Sequence, residues 1–394
     1  MSANNDLFDA TLRHGIAVRR YTLGEVQAVL DLLNRSNAEL TAMLNERLVQ
    51  GDFTSKRYRA LLKDIQAMRR QLWTTVFTQQ QQRLSDLADV ELAINQSMVD
   101  GALGFELSYA AVDAARLQII VNARPFAGGA NAARTLEQWW MGLSAVDQAR
   151  ITEAIAMGMT NSETVDQMVR RVRQNMDLTR RNAEAVVRTS VSHISNQTRN
   201  VFFEANQDLA RVLRWTSTLD GRTSLICAGR DGHYAPVVGK DTTGVPMPWL
   251  KPLTARPPAH PNCRSVMVAI LDPDRIEELM PARPFVRDTR TRRQREIDFR
   301  AQAKAEAGPA WRNMTEQQRN AMIKDIRRQW TAEHVGTVPG VTTYDEWLRR
   351  QSREFQDSVL GPGRAKLFRE GLRLDQYVDR AGDTLTLDEL QALI

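Results

Sequence analysis

Three side chains with soft or borderline-soft donor atoms occur in two short runs of the chain. Cys227 ends the run Asp220-Gly221-Arg222-Thr223-Ser224-Leu225-Ile226-Cys227, and His260 and Cys263 fall in Pro257-Pro258-Ala259-His260-Pro261-Asn262-Cys263-Arg264-Ser265. An imidazole and a thiolate three residues apart can reach one ion, and a second thiolate brought in by the fold makes three ligands of a tetrahedral zinc site. Asp220 and His233 are candidates for the fourth ligand, and Ser224 is a poor one. A catalytic zinc would keep one position open and need a carboxylate base, for which Asp220 or Asp231 stands near in sequence. The same residues also read as a hydrogen-bonded structural corner with two thiols packed nearby, or as a disulfide. An Asp-Gly turn after a strand is ordinary turn chemistry. Arg222 and Arg264 suit bidentate bonds to loop carbonyls and carboxylates. The chain has no helical His-Glu-x-x-His, no Gly-x-Ser-x-Gly elbow and no Walker-type phosphate loop.

These residues belong to a segment that differs from the rest. From Leu213 to about Leu271 the chain is rich in Gly and Pro, with short strands expected at Val212 to Thr218 and Arg264 to Ile270. Between them stand Pro236, Pro246, Pro248, Pro252, Pro257, Pro258 and Pro261, which a central helix or sheet would not accommodate. A small sheet pinned against the preceding helix is expected. That helix runs from Leu178 to Leu209, with Ala183, Val186, Val187, Val191, Ile194 and Phe202 on one side.

The front of the chain reads as long helices. Thr22 with Glu25 has the spacing of a capping box, and Val26, Val29, Leu30, Leu33, Leu40, Leu44 and Leu48 follow at helical spacing. Gly51 and Asp52 break the pattern. A second helix is expected from about Ser55 to Asp89. Arg124-Pro125-Phe126-Ala127-Gly128-Gly129 is a loop signal, and smaller helices follow. Leu136, Trp139, Trp140, Met141 and Leu143 read as core. After Asp272 the chain turns basic and helical. Capping-box spacings at Thr315 with Gln318, Thr343 with Glu346 and Thr386 with Glu389 put helix starts at about 316, 344 and 387, with a loop at 335–341. The expected fold class is mainly α with a small α+β loop-rich module. Its parts are an N-terminal helical domain (1–130), a helical segment plus the loop-rich module (131–272) and a basic helical C-terminal extension (273–394).

Composition bounds the function. Apolar residues make up 42% and charged residues 25%, as in ordinary globular proteins. No 18-residue apolar stretch suggests a membrane span, and the first residues do not read as a secretory signal. Two cysteines exclude a disulfide-stapled scaffold and fit a reducing cytoplasm. The net charge of +6 is mild. Its sharpest local expression is the Arg283 to Arg300 stretch. There Arg287, Arg290, Arg292, Arg293 and Arg295 cluster as candidate contacts to double-stranded DNA, through phosphates rather than base edges. The plainer alternative is a solvated helix face.

The order of motifs resembles the Mu F-like head morphogenesis family of tailed-bacteriophage minor head proteins. A helix carries Arg188-Thr189 and Asn196; Arg214-Trp215 leads into Asp220-Gly221-Arg222-Thr223. Cys227, a Gly-containing loop and Pro257-Pro258-x-His260-Pro261-Asn262-Cys263-Arg264 follow. The resemblance spans roughly residues 130 to 394 and is strongest at 178–270. The family pattern often has a cysteine where this chain has Ser224, so one soft ligand is missing here. The resemblance implies a portal-associated structural protein of the virion head interior, acting in head assembly or DNA delivery. Its implied partners are the portal and major capsid proteins. It is expected not to be an enzyme and to need no cofactor, with zinc as the one candidate. The competing reading is a metal-dependent hydrolase built on Cys227, His260 and Cys263. A scaffold or ejection protein is a further variant of the first reading.

Overall fold

Four long helices and one short one carry the front of the molecule: α1 (Ala3–Leu48), α2 (Ser55–Leu103), α3 (Ala114–Asn122), α4 (Leu136–Thr160) and α5 (Val165–Ala205). The computed structural model describes residues 3–48, 55–126, 133–161, 163–239, 246–271, 280–379 and 383–393. The Gly51-Asp52 break, the Ala127–Gly129 part of the loop and the expected boundaries near 130 and 272 lie outside the described residues. At 1.5 Å per residue, α1 and α2 each extend for about 70 Å. Val29, Leu33, Trp73, Val76, Trp140, Val187 and Val191 fill the bundle's main core, with Leu136 beside them as expected. A second cluster lies along the bundle and includes Leu40, Leu61, Ile65, Ile155 and Val172. Between the two, Arg69 donates from Nε to Asp147 Oδ2 at 2.7 Å, and Trp73 Nε1 and Thr179 Oγ1 also donate to Asp147. Arg69 further reaches Ser36 Oγ and Asn37 Oδ1 on α1. One ion pair thus joins four helices, and so fully buried a charge is tolerated only with its partners in place.

The helices run longer than their sequence signals suggested. Thr22 is not an N-cap: it sits inside α1, and its Oγ1 donates to Val18 O four residues back at 2.7 Å. Leu7, Phe8 and Thr11 are buried, so α1 begins at Ala3 with a packed first part. The second helix continues past Asp89 to Leu103, and α5 starts at Val165 rather than Leu178. The true starts of α4 and α5 are capping boxes, Thr135 with Gln138 and Thr164 with Gln167.

After α5 come β1 (Val212–Thr216), β2 (Leu219–Asp220), α6 (Leu225–Arg230), β3 (Tyr234–Pro236) and β4 (Val266–Ile270). The first, third and fourth strands form an antiparallel sheet in the order β3-β1-β4, with Leu213 opposite Ala269 and Trp215 opposite Met267. Pro236 lies on the edge strand, where a missing donor is harmless. The sheet is held by α1 as well as by α5: Asn196 Oδ1 accepts from Met267 N at 3.2 Å, Arg199 donates to Met267 O, and Asn4 Oδ1 accepts from Leu271 N.

The C-terminal part contains strands that its charge pattern hid. The elements are β5 (Arg283–Val286), α7 (Arg292–Ala307), α8 (Glu316–His334), β6 (Val335–Val338), α9 (Tyr344–Arg349), α10 (Arg353–Leu360), α11 (Pro362–Arg369) and α12 (Leu387–Gln391). Helix starts at 316, 344 and 387 agree with the expected capping boxes. The segment expected as a loop at 335–341 holds β6 instead. β5 pairs parallel with β2 and antiparallel with β6. The helices α7 and α8 form an arm between the two paired strands, with their own small core of Phe299, Ala303, Trp311 and Ile326. The last helices pack Tyr344, Trp347, Leu348, Phe368 and Leu374 against Leu219 and Ala228. A Cβ at Gly229 would fall 2.6 Å from Leu374 O, so glycine is required for this approach of α6. No described helix is long and apolar enough to cross a membrane.

Candidate metal centre

The fold brings Cys227, His260 and Cys263 together. Cys227 Sγ lies 3.1 Å from His260 Nε2 and 3.5 Å from Cys263 Sγ. The three donor atoms all lie within 4.8 Å of one another. Both sulfurs are buried free thiols, well outside the roughly 2.05 Å of a disulfide. Three local devices build the cluster. Ser224 caps α6 by accepting from Cys227 N at 3.3 Å, which sets the cysteine in the first turn of that helix. Cys263 N donates to His260 O at 3.1 Å, so His260 and Cys263 share one turn. Asn262, at the bend, adopts a left-handed φ of 61°, and its N–H donates to Thr189 Oγ1 on α5 at 3.0 Å.

The protonation chemistry suits a soft cation. His260 Nδ1 is 2.8 Å from Pro261 O. With Nδ1 protonated and donating there, Nε2 faces the sulfurs, the usual arrangement for a metal-binding histidine. The Cys227 thiol donates to Cys263 and outweighs burial, so with help from His260 the Cys263 thiol is pushed well below its usual range. Burial, then Cys263, pushes Cys227 up. Burial works against a charged His260, but the Cys263 hydrogen bond and charge raise it above the ordinary value. Cys263 is thereby poised as the thiolate, the form that ligates a metal.

The fourth position differs from expectation. Asp220 and His233 do not belong to the cluster. Ser224 does come close, with Oγ 2.8 Å from His260 Nε2. The donor set is therefore two sulfurs and one imidazole, with a hydroxyl at the place where a third sulfur would complete it. These residues fit zinc with three protein ligands, and zinc bound there would supply a cross-link between α6 and the turn before β4.

The remaining motif residues form a brace beside the cluster. Asp220 Oδ1 accepts from Arg222 N at 3.0 Å and from Thr223 Oγ1 at 3.2 Å, an Asx-type turn. Arg264 grips the same carboxylate, with Nη2 2.7 Å from Oδ1 and Nη1 on Oδ2. Burial alone would raise Asp220, yet the Arg264 and Arg222 bonds keep it below its usual value. The Arg222 side chain itself is exposed. Asp231 is also committed: it accepts from both Nη atoms of Arg283 at 2.8 Å, from Ser217 N and from Tyr344 N.

The basic stretch is less open than its composition suggested. Arg283 is a buried residue of β5. Arg290 pairs with Asp288 and Asp298. Arg287 donates to Glu333 O, and Arg295 lies over the Trp330 ring at 4.8 Å. Arg292 and Arg293 remain exposed on the first turn of α7. Arg290, one of the candidate DNA contacts, is thus already matched by two acids close to it in sequence.

The sequence also left unmarked the hub formed by Ser217, Asp231 and Arg283. Ser217 Oγ donates to Cys227 O at 2.8 Å, and Arg283 donates to Thr342 O as well as to Ser217 O. Arg214 extends the hub through bonds to Gly340 O and Val341 O. Arg214 was visible as a motif residue, but the two carbonyls it holds lie more than a hundred residues away.

Fold and site together define a helix-dominated protein built around a small loop-rich module, cross-braced by polar side chains and a Cys-His-Cys cluster. Residues 149–268 match the family described as Phage Mu protein F like protein. The match covers the end of α4, all of α5 and the module through most of β4, a narrower span than the 130–394 resemblance. The match relates this part of the chain, and not the remainder, to that phage family. No curated protein and no solved structure matches the chain.

Proposed function

We propose that the protein is a minor structural component of a tailed-phage head, lying in the head interior, contacting portal and major capsid protein, and acting in head assembly or DNA delivery. The observation that carries this reading is the Phage Mu protein F like match at 149–268. The matched motif residues have structural duties that support it. Thr189 and Asn196 on α5 hold the 260–263 turn and β4, and Arg264 holds the Asp220 turn. They build a rigid module and leave the long helices and the α7–α8 arm as surfaces for neighbours. The test is retention: procapsids assembled with the portal should contain the protein. Procapsids lacking the portal but carrying normal amounts of it would overturn the portal association.

Within this reading, Cys227, His260 and Cys263 hold a structural zinc ion and the protein is not an enzyme. The hydrolase reading needs a carboxylate free to act as a base near the metal. Both carboxylates considered for that role are held instead by arginines, Asp220 by Arg264 and Asp231 by Arg283. That commitment favours the structural role.

A further inference from the structure

A cavity of about 460 Å³, with Cys263 among its lining residues, opens between α1, α5 and the turns of the loop-rich module. Six arginines line it: Arg19 from α1, Arg181, Arg188 and Arg199 from α5, and Arg222 and Arg264 from the module. Among its described lining residues Glu184 is the one acid, and it pairs with Arg188 at 3.2 Å. Asp220 neutralises Arg264 from behind. Arg199 is buried, with Asn95 and the Met267 carbonyl as neutral partners, and Glu91 bears on it by charge. Three carboxylates therefore face six guanidiniums.

The excess gathers around one cavity, although Arg19, Arg181 and Arg222 are themselves exposed. Although much of Arg19 faces solvent, the cavity walls and then Arg264 pull its guanidinium down to about 10. Arg222 is lowered in the same way, by desolvation and then Arg264, with Arg295 and Arg188 adding to it. Like charges gathered against low-dielectric walls repel, and a bound anion relieves that repulsion. The lining also supplies Asn262 and hydroxyl groups such as Ser192.

We propose that this cavity is a binding site for a phosphate group. Guanidinium forks match phosphate oxygens in bidentate fashion, and several forks converging on one anion give a charge-assisted site. A cavity of this size accepts a phosphate with its neighbouring atoms. The source is either the backbone of a nucleic acid passing over the mouth or a free nucleotide entering it. The cavity shares Cys263 with the metal cluster as a lining residue, and the proposal does not rest on the head-assembly reading.

The experiment titrates the full-length chain with inorganic pyrophosphate at low ionic strength, by calorimetry. Binding is expected, and Arg188→Gln with Arg222→Gln should weaken it by about ten-fold or more. Arg292→Gln with Arg293→Gln, the same charge change on the first turn of α7, should leave it unaltered. Glu184→Gln removes the one acid of the wall and should tighten binding, a gain that misfolding cannot produce. Competition by a DNA duplex assigns the phosphate to a nucleic-acid backbone; competition by a nucleoside triphosphate alone assigns it to a free nucleotide. Either supports the site. Absence of pyrophosphate binding, or equal weakening by the α7 pair, would overturn the proposal.

Discussion

Arg264 and Asp220 meet through two parallel bonds, with Nη2 2.7 Å from Oδ1 and Nη1 on Oδ2, although 44 residues separate them in the chain. The pair closes the module: Asp220 ends β2, and Arg264 follows the last residue of the Cys-His-Cys cluster. Tyr344 adds a third tie from the C-terminal part, donating its hydroxyl to Asp220 O at 2.8 Å. Removing one partner leaves the other charge partly buried and unmatched. Arg264→Ala is therefore expected to cost about 2–4 kcal/mol in urea unfolding. A double-mutant cycle with Asp220→Asn should show strong coupling, and additive losses would contradict it.

The pair formed by Arg283 and Asp231 is more deeply buried, with side chains 2% and 0% exposed. Asp231→Asn should lower stability by about 3–5 kcal/mol. Because Asp231 also accepts from Tyr344 N, the loss should loosen α9 as well. Faster amide exchange around Tyr344 is the measurement, and unchanged exchange there would argue that the C-terminal helices are held by packing alone.

Metal binding at Cys227, His260 and Cys263 predicts a gain from one substitution. Ser224→Cys places a third sulfur at the hydroxyl that now lies 2.8 Å from His260 Nε2. Zinc affinity should rise by about ten-fold or more, despite the loss of a helix cap costing about 1 kcal/mol. Cys263→Ser should abolish binding. Competition with a chromophoric chelator reads both, and an unchanged affinity in Ser224→Cys would show that this position lies outside the coordination sphere.

His193 gives a pH signature independent of the site. Burial, and then Arg124, push it down to about 3, and its ring packs 5.0 Å from that of Phe126. It is neutral in the fold, whereas the unfolded chain takes up the proton near 6.5. Its contribution is complete above that value and is lost as pH falls, by about 1.4 kcal/mol per unit towards the folded value. His193→Phe should flatten the acid side of the stability profile between about pH 6 and 4. A variant with the wild-type slope would assign the acid loss to other groups.

The legible parts of the sequence were those whose signals are local. Apolar spacing marked the long helices, and Thr315, Thr343 and Thr386 marked their helix starts because a capping box spans only four residues. The same motif misled at Thr22, where the hydroxyl bonds backward inside a helix whose first part is packed by Leu7 and Phe8. The short spacing of His260 and Cys263 pointed to a shared turn, and Cys227 joined them as the two ends of the loop-rich segment suggested. β5 and β6 were illegible: four residues each, interrupted by two helices, they carry no alternation long enough to read. Arg283 looked like one of a run of basic residues. Only its distance from the solvent distinguishes it, and that depends on Asp231, 52 positions earlier.

The arm made by α7 and α8 begins and ends on facing residues, Val286 opposite Val335. Its two roots therefore stand only about 5 Å apart, held by a ladder that does not depend on what lies beyond it. Chain-closure entropy changes by only about 0.6 kcal/mol when such a segment doubles in length. Past Asp288 and Thr289, which abut Gly221 of the module, the arm thus forms an exchangeable cassette: its far part can be lengthened, shortened or replaced while the ladder below keeps its register. Variation in what this protein reaches can accumulate there without retuning the module that carries its motifs.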